Sequence, residues 1–241
     1  MSEMICVSPK GRITPGCAGL YTDKQTMQWK QIVDYVHQTG AAMGAQLGHA
    51  GRKGATRVMW EGMDRPLVEN AWPLVSASPI PYYSDSQIPH ELDRKGMDQV
   101  IEHFVASTHR ALKAGFDWLE LHCAHGYLLA SFLSPLTNQR TDEYGQTPQG
   151  RLKFPLEVFK AMRQVWPNSR PFSVRLSCSD WHPQGLTLED LQTYVAAFKE
   201  AGCTLINTST GQTVAKASPQ YGRLYQVPFA ERVRLENQIL P

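Results

Sequence analysis

The chain has 241 residues, 42% of them hydrophobic, and a net charge of +2. That length can bury one large core, as a single α/β barrel or as two smaller domains, and basic residues this scattered give no electrostatic case for nucleic acid. The five cysteines form no CxxC pair, so neither a zinc knuckle nor an iron–sulfur cluster is signalled, and His122-Cys-Ala-His125, the alternative place for a metal, lacks further well-spaced ligands, so no metal is expected.

Met4-Ile-Cys-Val7 reads as the end of a strand, followed by a turn-rich loop, Ser8 to Gly16. Asp23 is placed to cap a helix whose Trp29, Ile32, Val33 and Val36 follow i, i+3, i+4, i+7, with Gly40 as its stop. A strand over Met43–His49 sets Gln46 opposite Ala45 and Leu47. Residues 55–95 are a long excursion rich in Pro, Trp and Tyr without a period, expected to be a lid, a substrate wall or a concealed hairpin. A helix from Gly96 to Ala114 buries Val100, Ile101, Phe104 and Leu112.

Gly115 leads into the stretch around which the chain is organised, Phe116 to Tyr127. Its alternation puts Trp118, Glu120 and His122 on one face and Leu119 and Leu121 on the other, before the strand runs into His125 and Tyr127. Leu128–Gly150 reads as a loop and Arg151–Trp166 as a helix that Pro167 stops. The strand Pro171–Cys178 sets Arg175 opposite Val174 and Leu176. Thr187-Leu-Glu-Asp190 is a capping box for a helix faced by Leu191, Tyr194, Val195 and Phe198. Cys203–Ser209 is another strand, and Phe229–Leu240 a last amphipathic helix.

Strands alternating with helices argue for parallel pairing through right-handed crossovers. Any one inward polar residue would read as a satisfied core group; Gln46, Glu120 with His122, and Arg175 together read as the inner face of barrel strands leading to an active site. Arg175 could either pair with Glu120 or meet a ligand. No apolar run nears the ~18 residues of a membrane span, and the N-terminus has no signal-peptide pattern, so a soluble, cytoplasmic protein is expected.

Three motifs, Gln46-Leu-Gly-His-Ala-Gly-Arg52, His122-Cys-Ala-His-Gly-Tyr127 and Asn138-Gln-Arg-Thr-Asp-Glu-Tyr-Gly145, resemble the old yellow enzyme (NADH:flavin oxidoreductase) family, in its bacterial branch with a His/His pair. Trp60-Glu-Gly-Met63, Trp72-Pro-Leu74 and Pro79-Ile-Pro-Tyr82 further resemble the reductase half of bifunctional salicylyl-CoA or 2-aminobenzoyl-CoA hydroxylase-reductases. The resemblance implies an α/β fold, a TIM (β/α)8 barrel that is incomplete. About five βα units would be present, with the family's first strand and last two strands missing, in one partial FMN-binding domain over residues 1–241 with a loop insertion at 55–95. It implies FMN as cofactor and NAD(P)H as reductant. Gln46 would bind the flavin's pyrimidine edge and Arg175 the region of N1 and the C2 carbonyl. His122, also beside the flavin, and His125 would donate to a substrate oxygen, and Tyr127 would supply the proton to an activated C=C.

The implied substrate is a small enone or an aromatic acyl-CoA. Implied partners are a second copy of the chain, the missing barrel segments or a parent hydroxylase domain. His49 and Arg52 are expected to fix a loop, as are Asn138, Arg140, Asp142 and Tyr144, while Gln146 and Gly150 depart from the family's usual run. The alternatives are a truncated barrel segment, inactive and flavin-free by itself, and a flavin-free isomerase or lyase using His122 or Tyr127 as acid or base.

Overall fold

In the computed structural model, which describes residues 1–241, the apolar runs become short parallel strands joined by helices. In chain order these are β1 (Met4–Cys6), α1 (Asp23–Gln38), β2 (Gly44–Gly48), β3 (Val75–Ser76), β4 (His90–Glu91), α2 (Arg94–Ala114) and β5 (Trp118–Cys123). They continue with α3 (Leu128–Leu133), α4 (Pro148–Val165), β6 (Phe172–Ser177), α5 (Leu188–Glu200), β7 (Leu205–Ser209) and α6 (Val227–Asn237). Five strands form one parallel sheet in the order β1-β2-β5-β6-β7, so every barrel strand lies beside the next one in sequence. That is the neighbour rule of a βα barrel, and with β1 and β7 at its two ends, each carrying on its outer side only a single bridge (Cys6–Gly19 and Leu205–Leu240), it forms an open arc of one.

The outer face of the arc is dry. Ala45, Leu47, Leu119, Leu121, Val174 and Ile206 are fully buried there in one apolar core with Phe104, Phe159 and Phe198 from the surrounding helices. Phe159 stacks on Phe172 with ring centroids 4.4 Å apart. Removing one such ring costs about 3–5 kcal/mol, as much as a small domain has to spare. No helix is long and apolar enough to cross a membrane.

Several boundaries differ from those expected, each for a local reason. Thr22, not Asp23, caps α1, because its hydroxyl accepts from the Gln25 N–H while the Gln25 side chain returns to the Thr22 backbone. Within α1, Val33 and Thr26 face the core, whereas Ile32 is exposed, one residue off the stripe. Asp93 caps α2 two residues earlier than expected, and the helix ends at Gly115, whose φ of 91° is the left-handed stop. Thr147 caps α4, so that helix starts at Pro148.

Residues 128–133, expected as loop, are the short helix α3, buried on every side and so without a readable period. Within the excursion 55–95, β3 and β4 pair in parallel rather than as a hairpin. The last helix buries only Val233, because its neighbours α5 and β7 cover one narrow strip.

The loops at the C-terminal ends of the strands are held by buried cations donating to carbonyls. Arg140 donates to the carbonyls of Ala77 and Leu92 and pairs with Asp142, and the Asn138 amide donates to those of Phe132 and Tyr144. The Tyr144 hydroxyl is tied to Arg94 and Glu157. Arg52 donates to Ile80, Pro81 and Thr213 carbonyls, and the His49 ring nitrogen Nδ1 accepts from the Gly51 N–H. These residues shape the mouth of the arc, as expected of them.

Candidate active site

Paired residues of parallel strands point to the same side, so the register stacks the inner face into rows. One row runs Met4–Gln46–Glu120–Ser173, and the next, nearer the C-terminal ends, contains His122–Arg175–Asn207. Gln46, Glu120, His122, Arg175 and Asn207 all line one cavity of about 890 Å³, together with His125 and Tyr127. A second hollow of about 280 Å³ shares His125 and Arg175 with the first and is walled by Ser209–Gln212 and Trp181. Every residue expected at the site from the alternation of the strands is therefore in one place.

The lower row is closed on itself. Glu120, 1% exposed, accepts from Gln46 Nε2 at 2.7 Å, Ser173 Oγ at 2.9 Å and Asn207 Nδ2 at 3.1 Å, so it is not paired with Arg175. Ser173 in turn accepts from Trp118 Nε1 at 2.8 Å. Because the carboxylate can only accept, the Gln46 amide must turn its NH2 toward Glu120, leaving its carbonyl oxygen to the cavity.

The upper row is open. Arg175 Nε is buried and has no hydrogen-bond partner, although its guanidinium borders both hollows. A fully buried unpaired donor costs about 1–3 kcal/mol; Arg175 is half-buried against two open hollows, which holds the cost below that range, and an acceptor arriving at Nε removes it. The chemistry such a gap fits is an electron-rich heterocycle edge or carbonyl laid across the inner face, with Gln46 Oε1 accepting at the same edge.

His122 lies beside Arg175, 3% exposed, and its Nδ1 accepts from the Ala124 N–H at 3.2 Å, so in the neutral ring the proton sits on Nε2. Burial, reinforced by the charges of His125, Arg175 and Lys53, holds its pKa well below the ordinary histidine range. Strand β5 ends at Cys123, and His125 takes a left-handed φ of 60°, which brings both rings to one side with centroids 5.1 Å apart. On a continuing strand the two would face opposite ways. Gly126, at φ 70°, follows; a side chain there would meet the Gln212 carbonyl at 2.7 Å.

The His125 Nε2 is 2.6 Å from Ser209 Oγ, and burial lowers its pKa to about 3. Tyr127 stands against His122 at 5.0 Å between ring centroids, and burial pushes its phenol upward, so it stays protonated at neutral pH. Lys53, 8% exposed, lies 5.3 Å from the Tyr127 ring centroid and donates to the carbonyls of His125 and Gln212. Its pKa is lowered to about 8 by burial.

Lys53, Ser173, Asn207 and Ser209 are site residues that the sequence reading passed over. For Asn207 and Ser209 a signal existed, since Leu205–Ser209 alternates with Ile206 on the dry side and Asn207 on the inner side, a fourth strand with the same asymmetry. Lys53 had none, because its partner Gln212 is 159 residues away.

The sequence profile of the NADH:flavin oxidoreductase / NADH oxidase family matches residues 1–237. An NADPH dehydrogenase of Geobacillus thermodenitrificans is 40% identical over 234 residues, which are 97% of this chain and 64% of that protein. One from Listeria monocytogenes is 38% identical over 232 residues, covering 96% and 64%. Among solved structures, morphinone reductase in complex with tetrahydroNAD superposes with a TM-score of 0.75 at 25% identity over 99% of this chain and 65% of that one. This chain thus spans just under two thirds of the length of the relatives it matches.

Proposed function

The chain belongs to the NADH:flavin oxidoreductase / NADH oxidase family, and we propose that it acts as an FMN-dependent NAD(P)H oxidoreductase of the ene-reductase type. The observation that carries this reading is the unpartnered Arg175 guanidinium on the floor of a cavity whose other polar groups converge on one point. FMN, when bound, would supply hydride transfer from a nicotinamide to an activated C=C. Gln46 Oε1 and Arg175 are the residues that would hold its pyrimidine edge, with the Arg175 charge favouring negative charge there.

The protein's own groups divide the remaining work. His122, kept neutral by burial, offers Nε2–H to a carbonyl or phenolate oxygen, which draws electrons from the conjugated double bond. His125 contacts Ser209 Oγ through Nε2, and in the tautomer that accepts the hydroxyl proton there it carries its own proton on Nδ1 and offers it to the same oxygen. Tyr127 gives its phenolic proton to the carbon left negative, and the Lys53 ammonium nearby favours the phenolate that results. The substrate class is a small enone or an aromatic acyl-CoA thioester. The five free cysteines agree with a cytoplasmic setting, and the end strands β1 and β7, each with a single bridge on its outer side, suit docking of a second copy or of further barrel strands.

The test is the visible spectrum of the purified chain after incubation with FMN and desalting. A retained, structured flavin band supports the reading; a colourless protein overturns it for this chain and favours a barrel segment that is flavin-free alone. In the coloured protein, a phenol should give a long-wavelength charge-transfer band that His122→Ala abolishes while flavin stays bound. Tyr127→Phe should leave bleaching by NADPH unchanged and slow reoxidation by an enone by about 10²-fold.

A further inference from the structure

Two cysteines at the rim of the cavity have no part in the chemistry above. Cys6 ends β1 in register with Gly48, next to His122, so its side chain faces inward, and it is completely buried. Cys17 comes from the loop after β1, which folds back so that Ala18 accepts from the Cys6 N–H and Gly19 bridges to Cys6. The Cys17 thiol reaches the cavity wall close to Tyr127, one residue before the Ala18 carbonyl that holds the Cys6 N–H, so the paired backbones set the two cysteines side by side. The Cys17 sulfur accepts from the Thr14 N–H at 3.3 Å and lies 3.6 Å from Thr14 Oγ1. Both sulfurs are free thiols, with Cys17 part exposed and Cys6 behind it.

We infer that Cys6 and Cys17 form a redox-active dithiol, in which Cys17 is the peroxide-reactive thiol and Cys6 resolves it into an intramolecular disulfide. The arrangement has what such a pair needs: a part-exposed sulfur contacted by the Thr14 donors and a second cysteine on the backbone paired beside it. The hydrogen bond from Cys6, with those from Thr14, lowers the Cys17 pKa to about 5, and the same bond, with burial, pushes the Cys6 thiol far up. The two shifts run in opposite directions, which favours the thiolate on Cys17 and the proton on Cys6. The remaining thiols are a contrast, since burial raises Cys178 and Cys203 to about 12.

The oxidant is a hydroperoxide. The Cys17 thiolate attacks one peroxide oxygen, the O–O bond breaks, and the departing oxygen takes a proton to leave as water or an alcohol. Cys17 is then a sulfenic acid. The Cys6 sulfur attacks it, the S–O bond breaks as the S–S bond forms, and the hydroxyl leaves as water with the Cys6 proton. Two thiols lose two electrons and one peroxide gains them. The disulfide would also remove a negative charge from beside Tyr127, a charge that helps raise the phenol's pKa.

The experiment titrates the intact chain with hydrogen peroxide and reads intact mass, free thiols and tryptic peptides. Lys10 and Arg12 lie between the two cysteines, so trypsin separates them and only the disulfide keeps their peptides together. The expected result is a loss of about 2 Da and of two of the five thiols, with the Cys6 and Cys17 peptides joined and a thiol reductant restoring both. Cys17 should be alkylated at least ~10-fold faster at neutral pH than Cys123, Cys178 or Cys203. In Cys6→Ala that reaction should need a pH nearer the ordinary thiol value of about 8.5, and peroxide should leave Cys17 as sulfenic or sulfinic acid. Oxidation starting at another cysteine, or wild-type Cys17 gaining oxygen without linking to Cys6, would overturn the inference; this wild-type readout stands even where the variant fails to fold.

Discussion

Two adjacent rows on the same inner face treat charge in opposite ways. Around Glu120, Gln46 and Ser173 from the two neighbouring strands and Asn207 from the row above donate to one carboxylate, and what is left over is the carbonyl oxygens of the Gln46 and Asn207 amides. One row up, Arg175 finds no acceptor, and the two histidines beside it are neutral rather than paired. A buried charge that the protein satisfies by itself ties strands together; one that it leaves unsatisfied is a seat for something else. Burial alone does not separate the two cases, because His122 in the open row is covered as fully as Gln46 in the closed one, while Arg175 is half-buried. The inventory of partners does.

The sharpest way to break this contrast is to remove the satisfied acceptor. Glu120→Ala strands three buried donors and should lower unfolding free energy by about 3–5 kcal/mol, read from the urea midpoint of the chain without flavin. A loss below about 1 kcal/mol would mean that the lower row ties nothing together.

Acid should act next in size, through the neutral histidines. His49 and His125, each lowered to about 3 by burial, and His122, lowered well below the usual range, remain unprotonated in the fold where the unfolded chain takes up protons. Between about pH 6.5 and 3 the unfolded state therefore binds more protons, and stability falls as pH falls. The slope is at most ~1.4 kcal/mol per pH unit for each histidine, or on the order of 2 kcal/mol in all from pH 7 to 6 and about 4 kcal/mol by pH 5.5. Urea titrations at a series of pH values check this, and His125→Asn should make the decline shallower.

The smallest effect on stability should come from Arg175→Met, despite the loss of a charged residue in the interior. No protein hydrogen bond disappears with it, so the midpoint should move by less than about 1 kcal/mol in either direction, while FMN retention on desalting falls at least ~10-fold. A drop in stability as large as that of Glu120→Ala would erase the distinction between the rows.

Much of this site could be read from alternation. Gln46, His122 and Arg175 each stand out as a polar residue on an otherwise apolar strand, and the period of two says which side they take. Alternation is silent about partners, however, since these depend on register between strands that are far apart in sequence. Hence the choice between an Arg175–Glu120 pair and a ligand-facing Arg175 stayed open until Gln46, Ser173 and Asn207 were found around Glu120. Lys53 was illegible for the same reason, and α3 because six residues buried on all sides carry no amphipathic signal. The caps at Thr22 and Asp93 show the finer limit: several Ser, Thr or Asp residues compete near each helix start, and only backbone geometry chooses among them.

The knot around Glu120 also constrains how this protein can change over generations. It contains one group that only accepts and three that donate to it, so polarity is conserved around a closed circuit. Exchanging Glu120 for Gln alone sets an NH2 against an NH2 while the neighbouring amides keep their orientation. Asn207 relieves this by turning its amide so that Oδ1, which has no other hydrogen bond, accepts from the new NH2, whereas turning Gln46 would take its carbonyl oxygen from the cavity. Position 120 can therefore change through Asn207, with position 46 standing still beside them.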